Sequence, residues 1–415
     1  MVHQMMNTNK AKAPRASSKS KSMSLTSISA WLHGCAAVAI LGGMAACSTP
    51  SPVALPPLAK PAARAPALDN SLRQRDMLLR ENSRWIPVEW GELPGWGQDH
   101  AVEVWPALLR GCNKPAAGWA EVCALAFMAA PADDVEAALW LMQHLQPYRV
   151  ESLGGDAQGL ITGYYEPLLQ ASRKPQAGFT VPVHGAPADL SQRRPYYTRQ
   201  QIETEQRTRL RGDELAYLES PVDLALLQVQ GSGRMNIVDA SGSQQLLRLA
   251  FAGHNDQPYQ SVGRALIERG DLRPGQASWP AIRDWVRRNP QRAPELLWTN
   301  PRYVFFREEA MLDAELGPRG AQGVPLTPGR SIAVDRASIP YGTPVWLDAT
   351  EPLSKQPLRR LVMAQDTGSA IMGAVRADYF WGWGAQAEAQ AGRMKQPLRL
   401  WALWPMAPLQ TASTR

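Results

Sequence analysis

The sequence predicts a mainly β protein with helices, made of more than one domain and holding a small β-barrel near its C-terminus. Three observations carry that reading. At 415 residues the chain is longer than one hydrophobic core usually spans. Between 324 and 404, short apolar runs at 331–334, 344–347, 361–364 and 398–403 are separated by turn residues, the rhythm of a small barrel. Up to Gly154-Gly155 the pattern is helical, and beyond it the pattern turns to strands.

Each element has a local cause. Residues 48–68 are rich in Pro and Ala and read as an extended, disordered tether, so the folded part begins near Asp69. A helix is expected over 99–110, ending at Gly111. Asp133, with Glu136 three residues on, caps a second helix whose apolar positions are Val135, Ala138, Leu139, Leu141, Met142 and Leu145. Residues 160–165 are β-rich and closed by Glu166-Pro167. The stretch 167–300 mixes short strands and loops with helices at 261–269, stopped by Gly270, and 279–288, stopped before Pro290. Residues 303–306 return to strand, and no internal repeat is evident.

Composition is that of a globular protein, 45% apolar and 20% charged. The net charge of +7 is a property of the leader. Lys10, Lys12, Arg15, Lys19 and Lys21 precede residue 22 and no acidic residue precedes Cys47, so the remainder holds 39 basic against 37 acidic residues. Nucleic-acid binding is therefore not indicated. A basic, Ser-rich start, an apolar run over 28–46 and then Cys47 read as an export signal. The alternative, a membrane-spanning anchor, is weakened by His33, Gly34, Gly42 and Gly43. Met44-Ala45-Ala46-Cys47 resembles a bacterial lipobox, with Met where Leu is usual. That resemblance implies lipidation at Cys47, with Ser48 favouring the outer membrane. Of the four cysteines, Cys112 and Cys123 then remain for the mature fold. In an oxidising compartment a disulfide is expected, closing a loop of about ten residues for roughly 3 kcal/mol; two buried thiols are the alternative. Two cysteines and scattered histidines offer no metal-ligand spacing.

Three aspartates stand beside turn signals in the C-terminal region. Asp335 follows Ile332-Ala333-Val334, Asp366 opens the turn Asp366-Thr367-Gly368, and Asp378 leads into Tyr379, Phe380, Trp381 and Trp383. Strand-end carboxylates often only cap turns. Three within 44 residues, beside rings able to stack on sugars, point instead to a carbohydrate-cleaving site. As large apolar residues, Trp381 and Trp383 are equally at home in a core.

The run AVDRASIPYGT, AQDTGSAIMG and RADYFWGWG resembles the 3D domain, named for its three aspartates. With LITGYYEP at 160–167, LLQVQGSGR at 226–234, SVGRALIERG at 261–270 and YVFFRE at 303–308, residues 70–405 are similar to the membrane-bound lytic murein transglycosylase A family. The resemblance implies a double-psi β-barrel domain from 70–166 and 308–408, with the 3D motifs at 324–404. It also implies an inserted smaller β-barrel domain over 167–307 and a groove between the two for glycan. The implied reaction cleaves the β-1,4 bond between N-acetylmuramic acid and N-acetylglucosamine without water, leaving 1,6-anhydromuramoyl ends.

The implied catalytic residue is Asp378, with Asp366 and Asp335 supporting it. Thr162, Gly163, Tyr164, Gln230, Ser232 and Gly368 are implied substrate contacts, with glycine allowing backbone to approach the sugar. An ordinary glycosidase uses two carboxylates. Here the sugar's own C6 hydroxyl attacks, so one carboxyl can act as acid and then base. It would need a raised pKa, from burial and from a neighbouring Asp366. No cofactor or metal is implied. The implied partners are peptidoglycan strands, an outer-membrane lipid anchor and a cell-wall complex, with the chain in the periplasm. A hydrolase using the same groove and a non-enzymatic peptidoglycan-binding lipoprotein remain the alternatives. An aspartic peptidase would need a second D-T/S-G, which the chain lacks.

Overall fold

The computed structural model describes residues 77–206, 208–238, 243–311 and 313–406. The leader, Cys47, the Pro/Ala-rich tether and the expected start of the fold near Asp69 lie outside the described residues.

Short strands β1 (Leu78–Leu79) and β2 (Arg84–Pro87) precede a helical stretch, after which come β3 (Leu145–Glu151) and β4 (Gly159–Glu166). A second group follows: β5 (Leu168–Ser172), β6 (Val181–His184), β7 (Glu214–Leu218), β8 (Ser232–Val238), β9 (Gln244–His254) and β10 (Val304–Glu309). The last group is β11 (Ser331–Val334), β12 (Pro344–Thr350), β13 (Pro357–Asp366), β14 (Arg376–Trp383) and β15 (Lys395–Pro405). The first and last groups form a nine-stranded sheet in the order β1-β2-β3-β15-β12-β13-β11-β14-β4, and β4 pairs back onto β15, so six strands close on themselves. The middle group is a six-stranded sheet in the order β10-β9-β8-β5-β7-β6. An isolated bridge from Gly185 to Phe306 brings its two edges together. The protein is thus β-rich with helices and two sheets.

The closed strands are buried on both faces, which is why the sequence showed apolar runs rather than alternation. On β12, Val345 and Leu347 point into the ring with Ile332, Val362, Ala377, Tyr379 and Leu400. Trp346 between them points outward, to Leu361, Met363 and Trp401 and to the helices Trp105–Cys112 and Ala120–Met128. Those two helices are joined by the Cys112–Cys123 disulfide, with Cα atoms 5.3 Å apart. A separate core of Leu169, Ala216, Leu227, Met235, Leu249 and Phe305 fills the second sheet.

Local expectations differ from the structure in several places. The stretch read as helical up to Gly154-Gly155 also holds β1, β2 and β3, and Leu145, counted with the second helix, opens β3. The helix expected over 99–110 begins as a 3₁₀ turn at Ala101–Val104 and runs on through Gly111 as Trp105–Cys112. Gly111 is buried against Gln322, Gln365 and Met363 and does not end the helix. In the helix Asp134–His144, Asp133 does cap the amides of Val135 and Glu136. Its buried residues, however, are Ala137 and Leu141, while Val135, Leu139 and Met142 are exposed. The helices Pro221–Gln230 and Gly384–Ala391 lie where only motif residues had been singled out. The first turns on Pro221 at its N-terminus and Gly231, at φ 80°, past its end.

Candidate active site

Four strands of the closed sheet lie side by side in the order β13-β11-β14-β4. Asp378 on β14 is paired with Thr162 on β4 and, on the other side, with Ala333 on β11. A register shift between Ile332 and Ala333 sets Asp366 of β13 beside that same Ala333. Thr162, Asp378, Ala333 and Asp366 therefore form one row across the sheet. With strands about 4.8 Å apart, the two aspartates sit roughly 10 Å apart at Cα. Two residues further along β4 and on the same face, Tyr164 packs on Phe380 with ring centroids 5.2 Å apart and reaches Asp366.

Asp378 is half-buried. Thr162 Oγ1 donates to its Oδ1 at 2.6 Å. Burial pushes its carboxyl up from the usual range to about 6. The Thr162 hydrogen bond and the Arg376 charge work against that rise, and the charge of Asp366 adds to it. Desolvation wins because the carboxyl accepts one hydrogen bond where a fully compensated carboxylate accepts several. A carboxyl with a pKa near 6 holds its proton in an appreciable fraction of molecules near neutrality and can also lose it, which suits a group that must act as acid and then base.

Asp366 is held differently. Its Oδ1 accepts from the amide of Ala321 at 3.0 Å and its Oδ2 from the Tyr164 hydroxyl at 3.0 Å. Burial raises its pKa too, opposed by those bonds and by the amide of Thr367. Both its oxygens are occupied by donors of the protein. The two carboxyls share no hydrogen bond among those found, unlike the proton-sharing pair of an aspartic peptidase. Asp335 lies apart from both. It accepts from Asn82 Nδ2 at 3.1 Å and from the amides of Ala337 at 3.0 Å and Gly373 at 2.8 Å, fastening two turns and the chain near β2.

The expected substrate contacts are dispersed. Thr162 spends its hydroxyl on Asp378, and Tyr164 spends its own on Asp366. Gly163 points away from the row: a Cβ there would come within 2.7 Å of Trp381 Nε1 and 2.8 Å of Ala391 Cα. It is needed for close packing of the helix Gly384–Ala391, not for a turn, since it lies inside β4. Gln230 Oε1 accepts from the Tyr165 amide at 3.0 Å, tying the helix Pro221–Gln230 to β4. Ser232 is buried at the start of β8, and Gly368 opens a turn closed by the Ile371 amide. Trp381 faces the core and donates to Met394 Sδ at 3.3 Å.

Sequence reasoning gave no role to Arg376 or Glu166. Arg376 stands two residues before Asp378 on the same face of β14, and its Nη2 donates to Thr162 Oγ1 at 2.9 Å. Period-2 alternation back from Asp378 would have found it. Glu166, fully buried, accepts from Arg234 Nε at 2.7 Å and from Arg248 Nε at 2.6 Å and Nη2 at 3.2 Å. Both guanidiniums also donate to Leu316 O, and Arg234 lies 3.5 Å from the centre of the Trp383 ring. This cluster joins the end of β4 to the second sheet. Only the strand register reveals it, because both arginines lie more than 60 residues from Glu166. Among the described residues no group of His, Cys, Asp and Glu is placed to hold a metal ion, and no helix is long and apolar enough to cross a membrane.

A family model of the MltA-specific insert domain matches residues 160–307, and one of the 3D domain matches 330–404. The membrane-bound lytic murein transglycosylase A of Vibrio cholerae is 36% identical over 258 residues, 60% of this chain and 67% of that protein. The chain belongs to the membrane-bound lytic murein transglycosylase A family. Among solved members and relatives, the lytic transglycosylase LtgG of Burkholderia pseudomallei is 42% identical, covers 80% of this chain and 97% of its own, and superposes with a TM-score of 0.57. Escherichia coli MltA, solved with bound chitohexaose, is 25% identical over 74% of this chain and 91% of its own, with a TM-score of 0.60. The row at Asp378 draws on both matched segments of the family, Thr162 and Tyr164 from the first and Asp366 and Asp378 from the second.

Proposed function

We propose that this chain is a peptidoglycan lytic transglycosylase, a carbon–oxygen lyase acting on polysaccharide, with Asp378 as its single acid and base. The observation that carries the reading is the strand row that sets Asp378 beside Thr162, with a single hydrogen bond to its carboxyl and burial raising it, in a chain of this family. In the first step Asp378 gives its proton to the β-1,4 glycosidic oxygen as the bond to C1 of N-acetylmuramic acid breaks. The positive charge that develops at C1 and the ring oxygen faces the carboxylate just formed. The C6 hydroxyl of the same sugar then bonds to C1, and its proton passes to Asp378. One C–O bond breaks, one forms, no water is consumed and the acid is restored. Asp366 favours the positive transition state by its charge while its two oxygens stay engaged.

The same reading extends to the whole molecule. Residues 70–166 and 308–408 would form a double-psi barrel domain, and 167–307 an inserted barrel domain. Glycan would lie between them; that the Escherichia coli relative was solved with bound chitohexaose supports a saccharide ligand. Gln230, Ser232 and Gly368 would contact sugar from the groove walls. Cys47 would carry the lipid that holds the enzyme to the periplasmic side of the outer membrane.

Digestion of purified sacculi followed by mass spectrometry tests the proposal. Muropeptides one water lighter than their reducing-end counterparts are expected, and reducing ends alone would mark a hydrolase. Asp378→Asn is expected to lower their release by about 10²–10⁴-fold while the protein still sediments with sacculi. Substantial turnover by that variant would remove Asp378 from the role.

A further inference from the structure

We propose that Thr162 and Arg376 are positioning residues that commit the proton of Asp378 to one of its two oxygens, Oδ2. The inference rests on the reading of Asp378 as the catalytic acid and specifies how that acid is aimed.

The argument is a count of hydrogens. A threonine hydroxyl has one hydrogen to give and two lone pairs to receive with. Thr162 Oγ1 receives from Arg376 Nη2 at 2.9 Å and lies 2.6 Å from Asp378 Oδ1. Arginine has no acceptor, so the hydroxyl hydrogen cannot be spent on Arg376. If the acid carried its proton on Oδ1, Thr162 would have to accept twice, and its own hydrogen would need a third partner. No such acceptor is found among the described residues. With the hydroxyl donating to Oδ1, the proton belongs on Oδ2, which receives no hydrogen bond from any described residue. Oδ2 is then the oxygen available to a glycosidic oxygen and, after the first step, to the C6 hydroxyl.

Arg376 fixes the hydroxyl in this orientation. Its other amino group donates to Ala377 O and lies 3.5 Å from Leu160 O, so the guanidinium is tied to the backbone of β14 and β4 together. Among the described residues it forms no ion pair with a carboxylate, although it is half-buried. A lysine would supply the charge at one point without the fork that ties both strands.

The ionisable groups facing Asp378 are few. Arg376 comes from its own strand, Tyr164 from β4 and Asp366 from β13, and on β15 the exposed Lys395 stands opposite Thr162, one strand further along the row. From β11 the neighbour is Ala333, with Asp335 beyond it engaged by Asn82, Ala337 and Gly373. The helix Gly384–Ala391 packs on the far face, where Glu388 pairs with Arg283.

Thr162→Val tests the proposal by the sign of a shift. The Asp378 carboxyl is followed by carbon-13 NMR of aspartate-labelled protein, assigned by the resonance missing from Asp378→Asn. Loss of a donor to Oδ1 is expected to raise its pKa by about one unit. The high-pH limb of kcat/KM should move up with it, while kcat falls by about 10-fold to 100-fold and KM changes little. Thr162→Ser, which keeps the hydroxyl, should bring the titration back. Arg376→Lys should keep the titration near that of the parent yet lower kcat. A fall in the pKa, or none of these shifts in folded protein, overturns the proposal. Because the NMR titration needs no turnover, it decides the aim of Thr162 even where Asp378→Asn turns out to be active, a result that would instead overturn the catalytic reading.

Discussion

At one point on β4, Thr162 gives a single hydrogen bond to Asp378; four residues on, Glu166 receives three from two guanidiniums. The two places are about 13 Å apart along the strand. Glu166 is fully buried and Asp378 half-buried, and each has arginine nearby. The difference is in who touches whom. Arg234 and Arg248 bond directly to Glu166, whereas Arg376 bonds to Thr162 and reaches Asp378 only through it. Direct contact makes a joint between sheets, because the ion pairs cross from β4 to β8 and β9. Indirect contact leaves a carboxyl under-compensated, which is the condition for a proton that must leave and return. The comparison teaches that distance to an arginine does not fix a carboxyl's role; the number of donors on its oxygens does.

The comparison breaks most visibly at the joint. Glu166→Gln removes the charge that compensates two guanidiniums, each less than 5% exposed. Removing one partner of a buried ion pair costs about 3–5 kcal/mol, so the urea midpoint should fall accordingly. An unchanged midpoint would mean that water or Glu309, 3.7 Å from Arg248, takes over the compensation.

At Asp378 the same kind of change should act in the opposite direction. Its folded pKa of about 6 lies above the ordinary aspartate value of 3.8. Between those values the unfolded chain has lost the proton while the folded chain keeps it, so stability falls as pH rises. Asp378→Asn cannot ionise and escapes that loss. It should match the parent near pH 3.5 and exceed it above pH 6 by an amount on the order of 2–3 kcal/mol. Parallel thermal melts of the two proteins across that range check the sign. A gain that does not grow with pH would show that burial is not what raises this carboxyl.

How much of this was legible beforehand follows from the kind of constraint involved. The runs at 331–334, 344–347, 361–364 and 398–403 became β11, β12, β13 and β15, because strands buried on both faces are written in the sequence as unbroken apolar stretches. β14 was harder to read, since Arg376 and Asp378 alternate with Ala377 and Tyr379 and dilute its apolar pattern. The stripe of Val135, Leu139 and Met142 misled because helical spacing says which residues share a face, not whether that face is covered. Asp378 could be singled out from its motif. Alternation back from it points to Arg376, but the link from Arg376 to Thr162 was not legible, because the two meet through a parallel pairing of β4 and β14 across more than 200 residues, which no local pattern encodes. Glycine at 163 was legible as a constraint but not as this one: the neighbour that needs the space is a helix that local reading had missed.

The smallest expected effect tells the two aspartates of the site apart. Asp366 holds the Tyr164 hydroxyl and the Ala321 amide, and it raises Asp378 by its charge alone. Asp366→Asn keeps the size and one acceptor while removing the charge, so Asp378 should lose part of its rise and the high-pH limb of kcat/KM should move down. That is the reverse of the movement expected for Thr162→Val, although both variants lower kcat. A loss of about tenfold, or 1.4 kcal/mol, is the scale for a fixed charge that does not itself transfer a proton. Equal losses in Asp366→Asn and Asp378→Asn would make the two carboxyls partners in proton transfer after all. A tenfold loss with the limb displaced downward would leave Asp378 as the one group that moves the proton and Asp366 as the charge that sets when it does.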